Sequence, residues 1–432
     1  MKSLSEAAWE IAAEALRQVD VRRVVARHVA CDGAVLTLGG KSVPVGELDQ
    51  IVMIAVGKAA LPMYEAARDA LLGVPIRAVV VTNQAAEMDG AVVMPGSHPL
   101  PNLASLRAAE VVLALLREVT ERTAVLFLIS GGASAMLEAP LDARISMEDT
   151  AAFYQALIGS GLPIAQMNAL RKHFSAVKGG RLAEAAANAW MQYTMLVSDV
   201  PSGSPDAIGS GPSLPDSNTM ADCRGLLRSV GPLPARVAAF FESALCVETP
   251  KAGDRCFERA HWEVVLSSEH LAAAAAKAAR AAGFRAEIDN GCDEWKYRDA
   301  GRYLIDRGLE ISGDPARVCL ISVGEVGVTL PEVVGEGGRN QQFALWCARE
   351  VARRGAAATI LSVGSDGIDG NSQAAGAVCD ETTPELARAR GFSVEDALEE
   401  FDTTPLLRAV CATMETGPTG NNLRDLRILL FG

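Results

Sequence analysis

Runs of aliphatic and β-branched residues, each ending on glycine, serine, asparagine or aspartate, alternate along this chain with alanine-rich stretches of helical period. Strands are expected at 51–56, 77–82, 124–129 and 194–197, with helices between them at 59–72, 103–119 and 163–175. That alternation is the signature of a parallel sheet covered by helices, because parallel neighbours need crossover connections. In open sheets of this kind ligands bind beyond the carboxyl ends of the strands. Gly57-Lys58, Asn83, Ser130-Gly131-Gly132 and Ser198-Asp199 are therefore expected to converge on one cleft.

At 432 residues the chain exceeds a single core, and a prior of roughly 150 residues per domain favours two domains. The stretch 229–254, with several prolines and weak periodicity, separates an N-terminal domain at 1–240 from a C-terminal α/β domain at 241–432. The second half reads as strand 262–266, helices 269–282 and 293–311, strands 318–323 and 326–330, and a glycine-rich turn opening a helix that carries Phe343, Ala344 and Trp346. Strand 359–363, short helices and a terminal segment at 417–432 follow. Hydrophobic residues make up 49% and charged ones 22%, which permits a large core and argues for order throughout.

A net charge of −13 excludes a general nucleic-acid surface, so an anionic ligand needs a local positive pocket. Nine cysteines without a Cys-x-x-Cys pair fit free thiols in a reducing compartment and not a zinc site. Residues 1–20 carry Glu6 and Glu10 among alanines, an amphipathic helix and not a signal peptide. No apolar run approaches the ~20 residues of a membrane span. The expectation is a cytoplasmic protein, monomer or homodimer, without membrane or nucleic-acid partners.

Five stretches carry chemistry. Gly335-Glu336-Gly337-Gly338-Arg339-Asn340 opens a helix, where backbone N–H groups, the helix dipole and an arginine fork suit phosphate or carboxylate. The alternative is a tight turn with a solvated arginine. Gly57-Lys58 lies between a strand and a helix and reads as an anion anchor or as a surface lysine; no glycine five positions earlier makes it a Walker loop. Ser130-Gly131-Gly132-Ala133-Ser134 offers amides and hydroxyls to an oxyanion, and lacks the Gly-x-Ser-x-Gly elbow of a serine nucleophile. Asn168, Arg171, Lys172 and Ser175 share a helical face that Lys178 and Arg181 follow, a basic patch or a solvated face. Asp199, Asp366 and Asp369, flanked by glycine and serine, suit magnesium or a proton-accepting role, or simply turns. Anion donors plus carboxylates are what phosphoryl transfer demands. A dinucleotide fingerprint would need glycine at 340, where Asn340 stands.

In these motifs the chain resembles the class II glycerate 2-kinases, whose C-terminal part is the MOFRL region. The resemblance spans nearly the whole length: GKAA (57–60), SHPLP (97–101), ISGGASAM (129–136), RKHFSAVKGGRLA (171–183), SDVP (198–201), GSGP (209–212), GGRNQ (337–341), SDGIDG (365–370) and GPTGNN (417–422). It implies two α/β domains, the first Rossmann-like with a mostly parallel sheet, and an active site in the cleft between them. It further implies transfer of the γ-phosphoryl group of ATP, with Mg2+, to the 2-hydroxyl of glycerate. The partners implied are thus a small hydroxy acid and a nucleotide.

The family's functional lysine falls on Lys58 and its functional arginine on Arg339, and a catalytic or metal-binding aspartate on Asp199. Substrate and nucleotide contacts are expected at Ser130, Gly131, Gly132, Arg171, Lys172, Lys178, Glu325, Gly337, Gly338, Asn340 and Asn371, and metal contacts at Asp199, Asp366 and Asp369. The chain departs from the family where Ser202-Gly203-Ser204 replaces Gly-Asp-Asp, where Glu325 is followed by Val326-Gly327 instead of two threonines, and at Asn421-Asn422-Leu423. Alternatives to glycerate phosphorylation are a kinase for a related sugar acid, an NAD(P)H-dependent hydroxypyruvate reductase, and a non-catalytic ligand-binding relative.

Overall fold

The structure, a computed structural model, describes residues 3–71, 73–83, 87–200, 203–312 and 317–432. Pro201 and Ser202, part of the Ser-Asp-Val-Pro motif and of the departure at 202–204, lie outside the described residues, as does Leu72 at the end of one expected helix. The chain forms two compact units: Val21–Val265, and the segment up to Asp20 together with Leu266–Gly432.

The Val21–Val265 unit opens with a small antiparallel sheet of β1 (Val29–Cys31), β2 (Val35–Leu38) and β3 (Lys41–Pro44). Its main sheet holds β4 (Gln50–Val56), β5 (Ile76–Thr82), β6 (Ala91–Pro95), β7 (Thr123–Ile129), β8 (Met191–Val197) and β9 (Ala260–Leu266), in the order β6-β5-β4-β7-β8-β9. The pairings from β6 through β8 are all parallel. Every residue of β7 and β8 is buried, as expected when helices cover both faces. Numbered within the sheet, this is the doubly wound order 3-2-1-4-5-6, whose direction reverses between β4 and β7. The loops leaving those two strands are Gly57-Lys58 and Ser130-Gly131-Gly132.

In the other unit, β10 (Arg285–Ile288), β11 (Val318–Gly324), β12 (Thr359–Gly364), β13 (Gly376–Asp380), β14 (Thr413–Met414) and β15 (Asp425–Phe431) form a mixed sheet ordered β10-β11-β15-β12-β13-β14. β15 lies antiparallel between β11 and β12. The terminal segment at 417–432, to which the sequence reading assigned no element, thus supplies a central, wholly buried strand. The helix Arg339–Arg354 packs Phe343, Leu345, Trp346, Cys347 and Val351 into this unit's core. The helix Leu4–Gln18, started by a capping box between Ser3 and Glu6, buries Ala8, Ile11, Ala12 and Ala15 and packs on the helix Ser268–Ala281 and on β12 and β15.

Two expectations change. The strand placed at 262–266 is β9, hydrogen-bonded at the edge of the first sheet through Gln192 N–H to the Arg259 carbonyl, so the compact division falls after Val265 and not after residue 240. The prolines of 229–254 mark a loop-rich cover on the first unit, not its end. The strand expected at 326–330 does not form. Gly327 N–H donates to Trp295 O and Gly327 O accepts from Tyr297 N–H, which ties this stretch to the start of the helix Tyr297–Ile311. Among the described residues no helix is long and apolar enough to cross a membrane.

Candidate functional site

In the Val21–Val265 unit, the loops after β4 and β7 lie against each other. Gly57 has φ +122, and a Cβ there would stand 2.3 Å from Ser130 Oγ, so only glycine permits the approach. Ser130, wholly buried, accepts the Ala59 N–H at 3.0 Å, and Lys58 N–H donates to Gly131 O at 2.9 Å. The Ser130 hydroxyl therefore pins the Lys58 turn and does not face a ligand. Beside Gly132, itself at φ +84, converge the Lys58 stem and the His98 ring: a Cβ at Gly132 would lie 3.3 Å from His98 Cδ2 and 3.5 Å from Lys58 Cγ. Partial burial and the Lys58 charge hold the His98 imidazole below its ordinary range. His98 lies in the Ser-His-Pro motif, but nothing in the sequence marked it as a neighbour of Lys58.

The basic face expected on the helix Ile164–Phe174 is buried. Lys172, 1% exposed, donates to Asp206 at 2.6 Å and Asp216 at 3.0 Å; Lys178, also 1% exposed, donates to Glu138 at 2.7 Å and to Leu137 O at 2.8 Å. Both lysines, expected as ligand contacts, serve as internal ion pairs. Their acidic partners are distant in sequence, so the spacing could not reveal the pairing. Arg171 differs: it stacks 4.7 Å over the Tyr154 ring and donates from Nη1 to Asn168 Oδ1 at 3.2 Å. Asn168 Oδ1 also accepts from Ser210 Oγ at 3.1 Å, which is 2.8 Å from Ser134 Oγ in the loop after β7. Asp199 follows β8 and is partly exposed.

In the other unit, Arg339 begins its helix and is gripped by two carboxylates. Its Nε and Nη2 donate to Asp425 at 2.7 and 3.1 Å, and its Nη1 and Nη2 reach Glu325 at 2.9 and 2.8 Å. Burial alone would lower the guanidinium, but the two acids more than offset it and raise its pKa. The Asp425 side chain is 2% exposed and Glu325 is 41% exposed, so Asp425 is the fixed anchor and Glu325 the partner that water reaches. Burial raises the Asp425 carboxyl against the pull of Arg339. Asp425 was missed in the sequence; its only signal is a carboxylate opening an apolar strand between Arg424 and Arg427.

Most of the amides expected to cradle a phosphate are already engaged. Asn340 and Gln341 N–H donate to the Asp369 carboxylate at 3.0 and 2.9 Å, Gly337 N–H donates to Asn371 Oδ1 at 2.9 Å, and Glu336 N–H to Asp402 at 2.8 Å. Asp369 is 2% exposed and lies so close to Gly338 that a Cβ there would meet its Cγ at 2.2 Å. The positive end of the helix does bind an anion, and that anion is the protein's own side chain. Asn371 also donates to Gly335 O, bracing the turn, and Asn340, buried, accepts from Ser362 Oγ at 2.6 Å. Asp366 is exposed and accepts Ile368 N–H in a local turn. Among the described residues no three His, Cys, Asp or Glu side chains gather as a metal cage.

Residues 7–242 match a domain of unknown function (DUF4147), and residues 318–425 match the MOFRL family. The chain is 34% identical over 400 residues to the D-glycerate 2-kinase of Thermotoga maritima, covering 90% of this chain and 93% of that one. It is 31% identical over 434 residues to the glycerate 2-kinase of Pyrococcus horikoshii, covering 99% and 97%. A protein of Agrobacterium vitis named a putative hydroxypyruvate reductase is 34% identical, with 96% and 95% covered. The crystal structure of the Thermotoga maritima glycerate kinase superposes with a TM-score of 0.85 at 31% identity, covering 99% of both chains.

Proposed function

Because the chain belongs to the class II glycerate 2-kinases, the MOFRL family, we propose that it transfers the γ-phosphoryl group of ATP to the 2-hydroxyl of glycerate, giving 2-phosphoglycerate. The observation that carries this is likeness to the Thermotoga maritima enzyme in sequence and in fold over nearly the full length of both chains. The reductase name borne by some relatives has no support in a dinucleotide fingerprint, which fails at Asn340.

Phosphoryl transfer asks the protein chiefly for positioning and charge neutralisation. Two cations, Lys58 in one unit and Arg339 in the other, sit in prepared settings. Lys58 rides on a turn fixed by Gly57 and Ser130, and its ammonium has no acidic partner among the described residues. Arg339 is anchored by Asp425, and an arriving oxyanion would take the place of the more exposed Glu325 on its other edge. Each cation is assigned, within its own unit, to neutralising charge on a bound oxyanion.

Magnesium in kinases is held by one or two carboxylates together with substrate phosphates. Asp369 does not fit that task, since backbone and side-chain N–H groups already engage both its oxygens. Asp199 and Asp366, each in its own unit, stay proposed as carboxylates for a nucleotide-borne ion whatever their present partners, and no step is derived through it. The test is release of ADP with D-glycerate and its dependence on magnesium, run beside NADH oxidation with hydroxypyruvate. ADP formation without NADH oxidation supports the kinase; the reverse pattern overturns it.

A further inference from the structure

The buried cations of the Val21–Val265 unit are not treated alike. Lys172 and Lys178 each meet a carboxylate that is itself buried, but Arg171, 8% exposed, meets none among the described residues. Its Nη1 has only the neutral Asn168 amide oxygen, one face lies on Tyr154, and its buried Nε has no hydrogen-bond partner. An uncompensated guanidinium is among the costliest groups to bury. Such an arrangement is sensible if the counter-charge arrives with a ligand.

Its surroundings suit an oxyanion. Ser210 Oγ bonds the same Asn168 oxygen and meets Ser134 Oγ, and Ser134 is partly exposed, two residues from the Gly132 at which Lys58 and His98 converge. Ser210 is held at φ +61, a conformation non-glycine residues seldom adopt and one that collects at functional sites. We propose that Arg171, positioned by Asn168 and by the Ser210 hydroxyl that shares its amide oxygen, receives the carboxylate of the acceptor hydroxy acid. The proposal rests on the kinase reading and names the substrate end that this unit holds. The guanidinium N–H groups not spent on Asn168, Nε among them, can satisfy a single small carboxylate, whereas a triphosphate brings several oxyanions and needs more donors. The 2-hydroxyl sits on the carbon bearing the carboxylate, so fixing one places the other. An uncharged polyol would leave the guanidinium buried and unpaired, which makes Arg171 the determinant of acid over alcohol.

The test uses Arg171→Met in the full chain, read by thermal unfolding and by kinetics. Without ligand the variant should melt at or above the wild-type temperature, since an unpaired buried charge is gone. The rise in melting temperature given by D-glycerate should vanish, that given by a non-hydrolysable ATP analogue should persist, and KM for glycerate should rise at least about thirtyfold. Ser210→Ala is the second variant, with KM for glycerate up about tenfold and KM for ATP unchanged. A lower melting temperature without ligand would mark Arg171 as structural and overturn the proposal. So would loss of the nucleotide response in place of the glycerate response, or a wild-type KM for glycerate. If the wild-type protein forms no ADP, the kinase reading falls, while the two melting responses still decide whether Arg171 binds the acid.

Discussion

Replacing Arg339 by alanine should do two things at once, because the guanidinium proposed to meet the reacting groups also neutralises Asp425. A positioned arginine in phosphoryl transfer is worth about 10³ to 10⁵ in rate, so turnover should nearly vanish. The lost counter-charge for a side chain 2% exposed should also cost about 3–5 kcal/mol of stability. The double variant Arg339→Ala/Asp425→Asn separates these effects: urea unfolding should show most of the stability restored, with activity still absent. Asp369 gives a pH-dependent counterpart. Burial pushes its carboxyl up to about 6, against the pull of the Asn340 and Gln341 N–H groups. A carboxyl raised in the folded state contributes stability that is complete below its ordinary value of 3.8 and is lost as pH rises through about 6. Asp369→Asn cannot ionise, so relative to wild type it should gain about 2 kcal/mol between pH 4 and pH 7. Unfolding curves at those two pH values, showing no change in the difference, would contradict the buried ionisation.

At the scale of single elements, the helix Ile164–Phe174 shows how a sequence pattern can be right in position and misleading in meaning. Its basic face turns inward: Lys172 meets carboxylates 34 and 44 residues away, Arg171 lies on Tyr154, and Lys178, just beyond the helix, meets Glu138 40 residues away. Lys178→Met should therefore leave Glu138 buried and unpaired, at a cost of about 3–5 kcal/mol, and Lys178→Met/Glu138→Gln should recover much of it. Parallel strands were legible because continuous apolar runs are what a sheet covered on both faces requires. The strand Asp425–Phe431 was not legible, since Asp425 and Arg427 interrupt its apolar run and are tolerated only because Arg339 and the Phe343 ring meet them in the fold. The glycine-rich turn before Arg339 reads from the sequence as a clamp for a ligand's phosphate or carboxylate, whereas the helix N-terminus it opens is filled from within. Its occupant, Asp369, lies 29 residues on from Asn340, beyond the reach of any local rule.

For the whole molecule, the helix Leu4–Gln18 matters out of proportion to its length. It precedes the doubly wound unit in sequence yet packs within the other one, against the helix Ser268–Ala281 and the strands β12 and β15. Removal of residues 3–20 should leave amide protection in Val21–Val265 largely intact and lower it across Leu266–Gly432, as hydrogen exchange resolved by peptide would show. Equal loss in both units would contradict this division. The position of β15 carries a further consequence for how the chain comes into being. The doubly wound sheet can close once its own strands have left the ribosome. The mixed sheet keeps β11 and β12 apart until residues 425–431 have been translated, because the strand that joins them is made last of the six. During synthesis those two apolar strands must wait with open edges, which makes that interval the point at which a nascent chain of this design most needs a chaperone.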